Sequence, residues 1–283
     1  MRVAVIGSSG LLGKYLLREW KSNEVVGLTS KEVDIRDKDR LHQAIARLRP
    51  EWTIHAAAYT DVDGCESNPD RAFLTNCTGA ALVAGAARDL GSRMVFLSTD
   101  YVFDGAKSAP YEPSDAVHPL NVYGHSKAEA EKEVREILPT VCIVRTSWLF
   151  GVGGKCFPDT ILRLTAERPC IEVVQDQQGS PTYARDLAHA LAQLCAKNAQ
   201  GIVHVTNSGN CSWFEFAKEI VREAGLETLI QPTTSDRFPR PAARPAYSVL
   251  SGVSLRRYDI IMPSWQDALQ AYLAERGKAA QVQ

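Results

Sequence analysis

The sequence predicts an α/β protein: a doubly wound parallel sheet over residues 1–150, followed by a smaller second domain within residues 151–283. Three observations carry this. Short β-branched runs alternate with segments of helical apolar spacing through the first 150 residues, the pattern of repeated strand–helix–strand units. The first run, VAVIG, opens directly into the glycine turn GSSGLLG and then into a helical segment. At 283 residues and 45% hydrophobic content, the chain can bury a sizeable core. Right-handed crossovers would gather the loops after the strands at one edge of such a sheet.

VAVIG (3–7) reads as strand, and LLGKYLLREW after it as helix. Between them Gly7, Gly10 and Gly13 recur at intervals of three, with Ser9, Leu11 and Leu12 completing the turn. Glycines there permit a tight turn, let backbone approach a pyrophosphate and allow helix–strand contact, while the helix N-terminus offers free N–H groups to phosphate. The sheet is therefore of the Rossmann type. Ser8 stands where GxGxxG has its second glycine, which narrows the kind of dinucleotide site rather than excluding one.

VVGLT (25–29) is the second strand, and its tip is Thr29, Ser30 and Lys31. The tip of this strand reaches the adenosine ribose; hydroxyl and basic residues suit the 2′-phosphate of NADPH, whereas a carboxylate suits the free hydroxyl of NADH. No carboxylate stands at the tip, which favours NADPH, but nearby Glu32 and Asp34 keep NADH open, and Lys31 is equally readable as a solvated loop charge. Asp34 and Ile35 join the candidate cofactor contacts. LHQAIARLRP is helical to Pro50, and WTIHAAAYTDVDG is a strand ending in Ala56, Ala57 and Ala58, small enough for a cofactor to lie across them or simply to pack. His55, inside an apolar strand, reads as a core histidine rather than a catalyst.

NPDRAFLTNCTGAALVAGAARDLG predicts one long helix stopped at Gly91. MVFLSTDYVFDG then forms a strand whose end, Ser98, Thr99 and Asp100, brings hydroxyls to the carboxyl edge where open α/β sheets bind ligands. After a loop with three prolines, LNVYGHSK starts a helix with Tyr123 and Lys127 four residues apart, hence on one face. A cation beside a phenol favours phenolate and brings its proton-transfer strength toward neutral pH. Tyr123 could then protonate a carbonyl oxygen that receives a hydride. The AEAEKEV stretch of this helix reads as a solvated face.

CIVRTSWLFG is another strand, and the glycine-rich connector VGGKCFP marks the approximate domain boundary. Beyond it FPDTILRLTAE, TYARDLAHALAQLCAKN and SWFEFAKEIVREAG read as helices, with IEVVQDQQGSPT and GIVHVTN as strands. Part of 170–210 is expected to return to the first domain. The tail PTTSDRFPRPAARPAYSVL is either a linker or a rigid wall presenting Arg240 and Arg244 to an anion. SWQDALQAYLAERG closes the chain as a structural helix.

Composition excludes several functions. The 32 basic and 33 acidic residues nearly cancel, so nothing draws the chain to nucleic acid or anionic membrane. No apolar run approaches the roughly 18 residues that span a bilayer. The seven cysteines are odd in number, scattered, and free of any CxxC pair, which reads as reduced thiols in a cytoplasmic protein without disulfides or zinc. No carboxylate cluster argues for a metal, and a homodimer is left open.

The order of GSSGLLG, Thr99 and YGHSK resembles the extended short-chain dehydrogenase/reductase family. Within it, STDYVFDG, PLNVYGHSK, RTSWLFG, DQQGSPT and RPAARPAYSVL together resemble the dTDP-4-dehydrorhamnose reductases from first strand to last helix. That resemblance implies reduction of the C4 ketone of dTDP-4-dehydro-L-rhamnose by NADPH or NADH. It implies Tyr123 as proton donor, Lys127 as holder of the nicotinamide ribose and tuner of Tyr123, and Thr99 as a partner of the substrate oxygen. It further implies Asp100 and Trp148 at the sugar and Arg244 at the nucleotide diphosphate, although Trp148 is also readable as core. Two other functions stay open: a different nucleotide-sugar reductase or epimerase, since fold does not fix substrate, and a cofactor-binding regulatory subunit resembling the beta subunit of methionine adenosyltransferase. Retention of Thr99, Tyr123 and Lys127 together favours an enzyme.

Overall fold

The computed structural model describes residues 1–21 and 23–280. Strands β1 (Arg2–Ile6), β2 (Glu24–Leu28), β3 (Trp52–His55), β4 (Arg93–Thr99), β5 (Cys142–Thr146) and β6 (Gly201–His204) form one parallel sheet in the order β6-β5-β4-β3-β1-β2. The Rossmann-type sheet expected from the sequence is thus present. β3 is buried at every position and β1 at all but its first, as strands covered on both faces must be.

The covering helices are α1 (Leu11–Glu19), α2 (Lys38–Leu48), α3 (Val62–Ser67), α4 (Pro69–Phe73), α5 (Gly79–Asp89) and α6 (Val122–Ile137). One face of the sheet packs Leu41, Ile45, Val83, Met94, Phe96 and Val134 around α2, α5 and α6. The other packs Leu16, Trp20, Trp52, Leu187 and Leu191. Each such buried side chain contributes roughly 1.5–3 kcal/mol relative to an exposed one.

The long helix expected before Gly91 is broken. Between α4 and α5, Leu74–Thr78 makes a π-helical turn, which adds a residue to the turn and directs Asn76 inward, where it is 1% exposed. Nothing in the apolar spacing announces such an insertion.

Beyond residue 150 come α7 (Phe157–Glu167), α8 (Ala184–Ala196), α9 (Trp213–Glu223), α10 (Val253–Arg256) and α11 (Trp265–Ala280). α8 packs on α1, and β6 pairs with β5, so this later stretch rejoins the central sheet. Leu229–Thr233 pairs in parallel with Cys170–Val174 in a separate ribbon. The sequence reading missed this strand because of Pro232, which a two-stranded ribbon can carry on its free edge. Among the described residues no helix is long and apolar enough to cross a membrane.

Candidate active site

The order of the strands reverses between β1 and β3, and the loops leaving these two strands face each other across the resulting crevice. At Gly7, φ is +88° and a Cβ would lie 2.6 Å from the backbone nitrogen of Ala57; at Gly13 it would lie 2.5 Å from the Gly7 carbonyl. Only glycine fits either position. Gly10 caps α1 with no side-chain hydrogen bond, so the first N–H groups of the helix are open to an acceptor. This is a cradle that a pyrophosphate fits.

One cavity of about 410 Å³ runs from the cradle past Gly7, Ser9, Gly10, Thr29, Ser30, Asp34, Ile35 and Ala56, Ala57 and Ala58. A second, of about 490 Å³, shares Gly10, Ala56 and Ala58 with it and continues past Leu11, Leu12 and Gly13 to Thr99, Asp100, Tyr123, Lys127 and Trp148. The two, sharing these residues, make a continuous groove over the carboxyl edge of the sheet. Every candidate cofactor residue borders it.

In the second cavity Asn121 starts α6 by accepting from the Gly124 N–H at 2.8 Å, which sets the register of Tyr123 and Lys127. A Cβ on Gly124 would meet the Tyr101 carbonyl at 2.1 Å, so α6 seats directly on the segment after β4. Thr99 donates to Asp100 Oδ1 at 3.1 Å and accepts from the Tyr101 N–H at 3.2 Å. Burial pushes the Tyr123 phenol well above the usual tyrosine range, partly opposed by a hydrogen bond with Thr99. Lys127, 2% exposed, donates to the Leu97 carbonyl at 2.6 Å, and burial draws it down to about 7. The expected tuning therefore differs here: Lys127 points its charge at a strand carbonyl, and desolvation, with Asp100 behind it, dominates at Tyr123 and keeps the phenol protonated. Asp100 is itself raised to about 6 by burial, against hydrogen bonds from Ser248 at 2.6 Å and from Thr99.

Trp148 lines the same cavity at a φ of +48°. Arg244 lies apart, in an adjoining cavity of about 700 Å³ that also holds Arg237 and Arg240 and shares Tyr101 and Trp213 with the second. Its guanidinium donates to Asp63 at 2.7 Å and to the Ala242 carbonyl at 2.6 Å. The proline-rich tail is thus a wall carrying cations.

Sequence reasoning missed several residues here. Asn76 accepts from the Tyr59 N–H at 2.7 Å and donates to Ser126 at 2.9 Å, while Ser126 donates to the Tyr123 carbonyl at 2.7 Å. This network fixes the first turn of α6 from the π-helical turn. Arg36 and Arg71 border the first cavity and Lys31 does not; Arg36 holds Asp34 at 2.6 Å and lowers its carboxyl to about 2. Thr29 is engaged by Glu32, which accepts from its N–H and its hydroxyl at 2.8 Å each. His55 is 1% exposed, stacked on Phe96 and lowered by burial to about 3, a neutral core group as expected.

The family model described as the RmlD substrate binding domain matches residues 1–277. The chain belongs to this family. Relatives named dTDP-4-dehydrorhamnose reductase, an oxidoreductase activity, include one from Aggregatibacter actinomycetemcomitans, 39% identical over 286 residues and covering 95% of this chain and 97% of its own. The spore coat polysaccharide biosynthesis protein SpsK of Bacillus subtilis is 41% identical over 280 residues, 98% of this chain and 99% of that protein. Among solved structures, dTDP-4-dehydrorhamnose reductase of Bacillus anthracis in complex with NADP superposes with a TM-score of 0.94 at 40% identity, covering 97% of this chain and 99% of that one. The family is thus one of oxidoreductases, and the fold extends to UDP-glucose 4-epimerase of Thermus thermophilus, with a TM-score of 0.82 at 22% identity over 97% of this chain and 98% of that one.

Proposed function

We propose that the protein reduces the C4 ketone of dTDP-4-dehydro-L-rhamnose to dTDP-L-rhamnose with NADPH, and accepts NADH less well. The observation that carries this is the convergence of Thr99, Tyr123 and Lys127 on one cavity continuous with the glycine cradle. The NADP-bound Bacillus anthracis relative supports the cofactor.

Bound along the groove, the nicotinamide cofactor supplies the hydride. Gly7, Gly10 and Gly13 give its pyrophosphate close backbone approach, and Lys127 holds the nicotinamide ribose. Negative charge developing on the ketone oxygen is met by Tyr123, which gives up its proton, and by the Thr99 hydroxyl, whose single proton turns to it from Asp100. A phenol kept protonated by burial is in the acid form this step requires. Once the proton has left, the ammonium of Lys127 favours the phenolate. Asp100, with Ser248, orients Thr99; Trp148 lines the sugar site, and Arg244 faces the diphosphate from the adjoining cavity.

Residues 1–150 with the stretch that rejoins the sheet would then serve the cofactor, and the rest mainly the sugar nucleotide, in a cytoplasmic enzyme. A relative of Streptomyces antibioticus named probable dTDP-4,6-dihydroxy-2-methyloxan-3-one 4-ketoreductase, 36% identical over 276 residues, favours one second reading, reduction of a related dTDP-keto sugar by the same residues. Assay of NADPH oxidation across dTDP-4-keto sugars tests both. Turnover of dTDP-4-dehydro-L-rhamnose above the others supports the first reading, and its absence removes it.

A further inference from the structure

One turn beyond Lys127 on α6 lies a buried ion pair that the reduction chemistry does not use. Arg145 donates to Glu131 through Nε at 2.9 Å and Nη2 at 2.6 Å, with the two side chains 2% and 6% exposed. Ser98 donates to the same Oε1 at 2.5 Å. Taking two charges out of water costs several kcal/mol per ion, and well-packed apolar side chains often serve stability as well. The pair therefore calls for a role beyond holding the fold.

Its neighbour is Lys127. Ser98 follows Leu97, whose carbonyl receives the Lys127 ammonium, so Glu131 grips the strand segment that the lysine rests on. Three titratable groups around the ammonium are neutral at pH 7: His55 on β3 is held at about 3, Cys77 of the π-helical turn is raised to about 11, and Tyr123 on α6 is raised by burial. Asp100, raised to about 6, lines the same cavity but is engaged by Ser248 and Thr99. Phe96 presents its ring face 4.0 Å away. Arg145 is of like sign and is paired to Glu131. Glu131 is the opposite charge that acts most on Lys127.

We propose that Glu131, clamped by Arg145 and Ser98, is a positioning residue that favours the charged form of Lys127 and holds it at the mouth of the reactive cavity. Burial alone draws Lys127 down, and Glu131 is the largest influence in the other direction. The inference rests on the reductase reading only for its kinetic consequence.

The direct test follows the ¹³Cε resonance of Lys127 in the ligand-free, full-length protein as pH is raised. Glu131→Gln removes the anion and leaves Arg145 uncompensated. The Lys127 midpoint then falls by about one pH unit, and the alkaline limb of kcat/KM moves down with it. Glu131→Asp, which keeps the charge but withdraws it by one methylene, gives a midpoint between the two. A folded Glu131→Gln protein with an unmoved midpoint overturns the proposal, even where its melting temperature has dropped, because a merely structural pair would do just that. Should Glu131→Gln fail to fold, an unmoved midpoint in Glu131→Asp overturns it equally. Wild-type protein that turns over no dTDP-4-keto sugar would sink the reductase reading while the titration still decides this one.

Discussion

The indole of Trp148 lies flat on that of Trp213, with ring centroids 3.4 Å apart and planes 5° from parallel. Trp213 borders both the reactive cavity and the cavity of Arg244, so the stack stands where the two meet. It also steadies Trp148 in a left-handed backbone conformation that costs a non-glycine residue about 1–2 kcal/mol. A Cβ on Gly179 would reach the Trp148 ring at 2.4 Å, so glycine backbone packs directly on the indole.

From this, Trp213→Ala raises KM for the nucleotide sugar roughly tenfold, an aromatic pair being worth about 0.5–1.5 kcal/mol beyond its buried area. Gly179→Ala acts in the same direction by displacing the ring. NADPH affinity, read by its fluorescence, stays at the wild-type level in both. Equal KM in wild type and Trp213→Ala would remove Trp148 from the substrate wall.

The cradle separates two glycines by experiment. A Cβ at Gly13 overlaps backbone at 2.5 and 2.6 Å, whereas at Gly10 its nearest neighbour is the Gly7 carbonyl at 3.3 Å. Gly13→Ala therefore destabilises the fold by about 1–3 kcal/mol, as overpacking does. Gly10→Ala melts close to wild type but binds NADPH more weakly, because its methyl occupies space along the groove. Thermal denaturation and fluorescence titration check the pair.

On the proposed reading, cofactor choice falls to Arg36 and Arg71, which border the cavity beside Thr29 and Ser30 where Lys31 does not. Loss of a hydrogen bond to a charged group costs about 1.5–3 kcal/mol, so Arg71→Ala lowers the NADPH-to-NADH ratio of kcat/KM roughly tenfold. Lys31→Ala leaves that ratio unchanged. A wild-type preference for NADH would contradict the assignment.

Lys127 also sets a pH dependence of stability. Its folded value of about 7 lies below the 10.5 of the unfolded chain. Between those values the unfolded state binds more protons, so this residue's contribution rises with pH across that window and is least favourable below 7. The melting temperature of Lys127→Met relative to wild type should accordingly improve as pH is lowered from 10 to 7. A difference independent of pH would mean that the lysine is not held at a depressed value.

How much of this was legible in the sequence follows from what each feature depends on. The sheet was, because β1, β3, β4 and β5 are short apolar runs whose hydrophobic pattern is set locally, and so was the alignment of Gly7, Gly10, Gly13, Thr99, Tyr123 and Lys127 on its carboxyl edge. Asn76 was not, since the one-residue shift of a π-helical turn does not show against the Ala- and Gly-rich stretch that follows it. Trp213 read as an ordinary helix start, and its contact with Trp148 spans 65 residues of chain that no local pattern connects. The spacing of Tyr123 and Lys127 predicted a shared face correctly. It could not show that Lys127 would turn to the Leu97 carbonyl, which depends on how α6 packs on β4.

The most direct test of the central claim is turnover of dTDP-4-dehydro-L-rhamnose with NADPH by Tyr123→Phe, alongside its NADPH affinity. Loss of the proton donor predicts a fall in kcat of at least about 10²-fold, with the dissociation constant for NADPH unchanged. Turnover equal to wild type would contradict the account.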